Sequence, residues 1–194
     1  MREKTLRERT RSIEDIVLCG MFTALIAAGA FMKISIPVQP FPMHFTLQFF
    51  FVLLAGFLLG SRMGAMSVGS YLIVGLAGVP IFAAGGGLAY LVRPTFGFLL
   101  GFLFAAYVTG FVSERLHSQS FFALLFAAVC GLLVMYASGM VYFYFISNYV
   151  ISMPVTWGIV LVNCFLLTVG GDFVLCVVSA IAAVRLIPLL KRMR

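Results

Sequence analysis

The sequence predicts an all-α, polytopic membrane protein of six transmembrane helices with both termini in the cytoplasm. Three observations predict it. Of 194 residues, 63% are hydrophobic and 10% charged, with a mean hydropathy of +1.14, which is more apolar sequence than a soluble core absorbs. The apolar residues form continuous runs rather than an alternation, which excludes the strands of a lipid barrel. At about 20 residues per crossing, these runs have room for six helices and short loops, and none for a second domain. Finally, of the 13 basic residues, all but Lys33 and Arg93 fall in the N-terminal tail, the Arg62 turn, the Arg115 loop or the C-terminal end from Arg185. The positive-inside rule puts those segments, and so both termini, in the cytoplasm.

The net charge of +7 therefore reads as an orientation signal and not as a nucleic-acid footprint. The expected surroundings are the lipid bilayer of the cell membrane, crossed several times. The first dozen residues are too charged for a signal peptide. Cys19, Cys130, Cys164 and Cys176 stand singly within apolar runs, without metal or disulfide spacing, and read as small packing residues.

Taken in order, residues 1–15 form a basic cytoplasmic segment, either a surface helix or a flexible lead-in. Residues 16–188 form the transmembrane domain and 189–194 a cytoplasmic tail. The first run, Ile16 to Ile36, carries Gly20, Ala24 and Ala28 every four residues, one smooth stripe on a helix. Such a stripe lets a second helix approach closely, within the chain or from another subunit. Pro37, Pro40 and Pro42 then require an extended loop. Phe45, Thr46 and Gln48 open the second run, which ends at Gly60; the two polar residues either cap the helix or face a cavity. A short turn at Arg62 leads to the third run, Ala65 to Phe82. The fourth, Pro94 to Phe111, is followed by a solvated loop holding Glu114, Arg115 and His117. The fifth, Phe121 to Ile146, ends among Tyr136, Tyr142, Tyr144 and Tyr149, an interfacial pattern. After a loop with Asn148 and Pro154, the sixth run extends from Trp157 to about Ile187, where Pro188 ends it.

Two places interrupt this apolar background. Between the third and fourth runs, Gly85, Gly86 and Gly87 end a helix and let bare backbone come close to something. Tyr90 and Arg93 follow before Pro94. A glycine bend, an aromatic and a permanent cation form either a connecting loop with a snorkelling arginine or a place for a small anion. The second place is Asp172, the one acid inside an apolar run, preceded by Gly170 and Gly171. A carboxylate near mid-helix costs about 2.5 to 3.5 kcal/mol, so it faces a cavity or a partner; Asn163 lies on the same run nearer the outside. Arg93 suits a carboxylate and Asp172 suits N–H donors. The ligand these describe is small, with an acid at one end, a urea or amide at the other and an apolar body between.

The motifs Pro40-Phe-Pro-Met-His-Phe-Thr-Leu-Gln48, Phe51-Val-Leu-Leu-Ala-Gly-Phe-Leu-Leu-Gly60 and Gly78-Val-Pro-Ile-Phe-Ala-Ala-Gly-Gly-Gly87 resemble the biotin-capture (BioY) subunits of energy-coupling-factor (ECF) transporters. The resemblance covers about residues 15–188. It implies a six-helix bundle with an outward pocket for biotin, docked on a membrane coupling subunit with two ATP-binding subunits. It implies that Gly20, Ala24 and Ala28 are the partner-docking stripe. Substrate-binding candidates are then Arg93, Asp172, Tyr90, Gly85, Gly86, Gly87, Phe82, Gln48, Thr46, Phe45 and Asn163. One departure stands out: the family often has Gly-Asp, two apolar residues and a lysine, whereas Phe173, Val174 and Leu175 follow Asp172 here. That lysine's role is not carried over.

Rival readings are weaker. An intramembrane enzyme needs a second acid, a nucleophile with its base, or metal ligands. Asp172 has no companion acid, and His44 and His117 fall on opposite sides. A self-sufficient secondary transporter would show internal repeats. No nucleotide-binding loop is present, so ATP dependence would reside in partners. The expectation is a non-enzyme with no catalytic residues, no metal, no cofactor and no nucleic-acid partner.

Overall fold

The computed structural model describes residues 2–37 and 43–193. Pro40 and Pro42 lie outside the described residues, as do the side chains of the basic residues in both tails. Helix α1 runs unbroken over Arg2–Phe31, so the expected lead-in and first crossing are one helix. On either side of residues 38–42, the connection expected as a loop is a pair of strands. Lys33–Ile36 (β1) and Met43–Thr46 (β2) pair antiparallel, Lys33 opposite Thr46 and Ser35 opposite His44. The Leu47 N–H donates to Met32 O at 3.1 Å and closes the hairpin base. Among the described residues this is the one strand pair in an otherwise helical chain, with an isolated bridge between Phe82 and Gly85.

Helix α2, Gln48–Leu59, is the centre of the bundle and packs against α1, α3 (Ser61–Leu76), α4 (Phe96–Leu116) and α7 (Val169–Met193). Its Phe49, Val52, Leu53 and Ala55 are buried. Backbones come close here because small residues line the contacts. A Cβ on Gly56 would stand 2.7 Å from Ala106 O, and one on Gly101 2.8 Å from Met135 O. Without a hydrophobic drive between helices in lipid, such close packing is what holds a bundle together.

Gly60, at φ 85, separates α2 from α3. Arg62 therefore lies in the first turn of α3 and not in a loop. That turn starts early because Glu114 of α4 accepts hydrogen bonds from Ser61 N at 2.8 Å and Ser61 Oγ at 3.0 Å. The donors a helix start leaves open are thus satisfied from a neighbouring helix. Helix α3 ends at Leu76, earlier than its apolar run, and the glycine stretch folds into a loop with a 3-10 turn at Leu88–Val92.

Helix α5, Phe121–Phe145, is capped by Ser120 and passes into a π-turn at Ile146–Val150. The sixth run is not one helix. A short α6, Trp157–Val160, continues as a π-turn over Leu161–Leu166, and α7 begins at Val169. Pro188 does not end α7, which continues to Met193. Its missing N–H deletes one bond close to the helix end, where the loss is small.

Among the described residues, four segments are long and apolar enough to cross a bilayer: Ile13–Phe31, Phe96–Leu116, Phe121–Val150 and Trp157–Leu190. Helices α2 and α3, of 12 and 16 residues, are shorter. They span about 18 and 24 Å against about 30 Å of hydrocarbon. The hairpin and the glycine loop take up the residues that would have lengthened them. Cys19, Cys164 and Cys176 are buried and Cys130 is partly so.

Candidate ligand-binding site

Chain order brings the hairpin, the glycine loop and the 151–156 connection to one end of the bundle. A cavity opens there between the hairpin, α2, α4, α5 and the start of α7, with about 650 Å³ of empty space, part of it open to the outside. Phe45, Phe49, Phe98, Leu99, Phe102 and Met135 give it apolar walls. Its polar groups are His44, Thr46, Gln48, Tyr90, Thr95, Tyr136, Thr168 and Asp172.

Asp172 is not near mid-helix; it sits in the first turn of α7. The break at residues 167–168 puts a helix N-terminus under the carboxylate, where the helix dipole favours negative charge. This is a physical reason the acid is tolerated in an apolar run. Its Oδ2 accepts from Tyr136 OH at 2.5 Å, and the same hydroxyl lies 2.8 Å from Thr168 Oγ1. Thr168 Oγ1 also lies 2.8 Å from Cys164 O, so its one proton goes either to that carbonyl or to the phenol oxygen. Gly171 packs against the hairpin: a Cβ there would stand 2.6 Å from Phe45 Cε2. Gly171 therefore serves a close approach, whereas Gly170 has nothing within 4 Å.

Gln48 anchors a second polar chain. Its Nε2 donates to Tyr71 OH at 2.7 Å, and Tyr71 donates to Ile81 O at 3.2 Å, while Thr46 Oγ1 donates to Gln48 Oε1 at 3.4 Å. The chain ties the start of α2 through α3 to the glycine loop. Above it, Lys33 donates to Ala83 O, so the hairpin is bonded directly to that loop. Ser35 Oγ and His44 Nδ1 lie 3.0 Å apart across the strand pair. Burial, with the charges of Lys33 and then Arg93, holds the His44 imidazole below its ordinary value and so neutral near pH 7.

Of the residues singled out in the sequence, Phe45, Thr46, Gln48, Tyr90 and Asp172 meet in the cavity wall. Arg93, Phe82, Asn163, Gly85, Gly86 and Gly87 do not. Arg93 is exposed, its guanidinium 5.1 Å from the Tyr90 ring centroid. Phe82 is buried behind the wall, its ring centroid 4.7 Å from Tyr90 and 5.3 Å from Tyr71. Asn163 lies on the π-turn, partly buried. The glycines shape the loop: Gly85 and Gly87 have φ 118 and 91, and a Cβ on Gly86 would stand 2.3 Å from Val79 O. Gly20, Ala24 and Ala28 are all exposed on α1, and nothing lies within 4 Å of where a Cβ on Gly20 would be.

Sequence reasoning missed Tyr136 and Thr168, reading the tyrosine as interfacial. The available signal was spacing: Tyr136 shares a helical face with Leu132, Met135, Gly139 and Phe143, all buried.

Comparison with known proteins finds relatives in both sequence and fold. The chain is 39% identical over 186 residues to the "Probable biotin transporter BioY" of Lysinibacillus sphaericus, covering 96% of this chain and 93% of that one. It is 39% identical to the biotin transporter BioY of Thermotoga maritima over 178 residues, 90% and 96% of the two chains. Its fold is similar to the crystal structure of the S-component for biotin from an ECF-type ABC transporter, with a TM-score of 0.80, 26% identity, and coverage of 91% and 92%. The BioY family model matches residues 2–192, and the chain belongs to the BioY family.

Proposed function

We propose that the cavity is an outward-opening biotin site and that the chain is the substrate-capturing membrane subunit of an ECF-type, ATP-driven importer. The observation that carries this reading is the form of the cavity: aromatic and aliphatic walls ending on the Asp172 carboxylate. A ureido ring presents N–H donors to an acceptor-only group. The apolar walls suit the body of the ligand. The ligand's own carboxylate is left at the mouth, where Lys33 and Arg93 supply positive charge. With relatives named as biotin transporters, binding and release is the favoured activity rather than catalysis.

The positive-inside pattern supports six crossings of the cell membrane with cytoplasmic termini. In that reading α2 and α3 complete their crossings with the extended segments that flank them. The limits 1–15, 16–188 and 189–194 then separate cytoplasmic ends from the substrate-binding domain. The exposed stripe of Gly20, Ala24 and Ala28 is the docking face for the coupling subunit, and two partner subunits hydrolyse ATP. Calorimetry of the purified chain in detergent tests the core of the reading. Saturable biotin binding at one site per chain is expected; no binding by folded protein overturns it.

A further inference from the structure

A carboxylate lining a cavity binds N–H donors well only if its oxygens are held still and correctly shared. Among the described residues, the side-chain hydrogen bond to Asp172 goes to Oδ2, from Tyr136 OH at 2.5 Å. Oδ1 is not among the fully buried atoms that lack a partner, so it is the oxygen left accessible. Tyr136 has only one proton to give. A carboxylate is a stronger acceptor than the Thr168 hydroxyl 2.8 Å away. The proton therefore goes to Asp172, and the Thr168 proton is left for Tyr136 O or for Cys164 O. When it goes to the phenol, the three groups form a one-way chain from Thr168 through Tyr136 to Asp172. Each donation strengthens the next.

The phenol ring is fixed as firmly as its hydroxyl. Its centroid stands edge-on 5.0 Å from Phe165 and 6.2 Å from Phe98. Tyr136 is 2% exposed, Thr168 7% and Asp172 8%. Water has little access to replace a lost bond, which makes a missing donor costly.

From this geometry we propose that Tyr136 is a positioning residue for ligand recognition. It commits Asp172 Oδ2 to the protein and presents Oδ1 alone to an N–H donor of the ligand, with Thr168 orienting the phenol. The proposal rests on the reading of the cavity as a biotin site. It predicts that the site takes one strong N–H donor at Asp172 and that Tyr136 acts only through that acid.

The test is a double-mutant cycle on the full chain in detergent, with biotin affinity as the readout and unliganded melting temperature as a control. Tyr136→Phe is expected to weaken biotin roughly tenfold or more. In an Asp172→Asn background it should cause no further loss, because the bond it removes no longer has its charged acceptor. Equal loss in both backgrounds, or no loss in the first, overturns the proposal and leaves Tyr136 as packing. A second measurement needs no change at Asp172. The ratio of affinities for biotin and for an analogue methylated on a ureido nitrogen should narrow in Tyr136→Phe and in Thr168→Val; an unchanged ratio in both overturns the proposal. Absence of biotin binding by the unsubstituted chain overturns the functional reading and this one with it. Binding with an additive cycle overturns only the role of Tyr136.

Discussion

Gly171 is where the hairpin meets the floor of the cavity, and replacing it separates binding from stability. A Cβ on Gly171 would stand 2.6 Å from Phe45 Cε2 and 2.8 Å from Cζ. Relaxed carbon contacts are about 3.5 to 4.0 Å, so in Gly171→Ala the Phe45 ring retreats by about 1 Å. Phe45 lines the cavity, and in the empty protein it has room to move. Alanine also favours the first turn of α7 by about 1 kcal/mol over glycine. The unliganded variant should therefore melt no lower than the parent. With biotin in place the ring has nowhere to go, and overpacking costs about 1 to 3 kcal/mol. Affinity should fall about 5- to 140-fold. Gly170→Ala is the control: its new methyl meets nothing within 4 Å, so it gains the same helix propensity and keeps its affinity. Calorimetry and thermal melts on the three proteins decide the matter. If Gly171→Ala binds as tightly as Gly170→Ala, Phe45 is not seated on α7 in the bound state and the reasoning fails.

Other consequences follow from single contacts. Ala24→Trp or Ala28→Trp on the exposed face of α1 should abolish co-purification with the coupling subunit and leave biotin affinity intact; co-purification at parental levels would assign the stripe another role. Arg93 is exposed and stacked on Tyr90 outside the cavity wall, so Arg93→Ala should slow biotin association more at low than at high salt, with dissociation within about twofold. A large rise in dissociation rate would place the guanidinium on the ligand. Glu114→Ala removes two hydrogen bonds from the start of α3 and should cost about 1 to 2 kcal/mol of thermal stability, without an effect on affinity once folded. His44 has a lowered pKa in the folded chain. The stability tied to its neutral form is complete above about pH 6.5 and is lost as pH falls towards the depressed value. The gap in melting temperature between the parent and His44→Gln should therefore shift against the parent on acidification, and a constant gap would show that neither burial nor the charges of Lys33 and Arg93 depress the imidazole.

How much of this was legible in the sequence depends on contrast. Asp172 stands out because it is the one acid in a long apolar run, and Gln48 because a polar side chain opens one; both line the cavity. Arg93 stands out equally and lies outside the wall, since residue type says nothing about whether a loop turns a side chain inward. The break before α7 carries no proline or glycine at Leu167 and Thr168. It follows the π-turn that precedes it; Gly170 and Gly171 are a local signal for a bend, but a bend alone does not say that a helix starts there.

Tyr136 is the sharper case. In a soluble helix the buried face shows as a stripe against polar residues, and a tyrosine within that stripe reads as internal. In α5 every face is apolar, so the stripe of Leu132, Met135, Tyr136, Gly139 and Phe143 has no polar background to define it. Glycine supplies what contrast there is. A Cβ on Gly139 would stand 2.5 Å from Phe98 Cδ1, and one on Gly131 2.2 Å from Thr109 Oγ1. These residues mark the side of α5 that meets α4. A tyrosine three residues before Gly139 lies on that inward side, away from lipid. In a membrane bundle the small residues, which packing requires at helix contacts, are therefore the better guide to which polar side chains reach the interior.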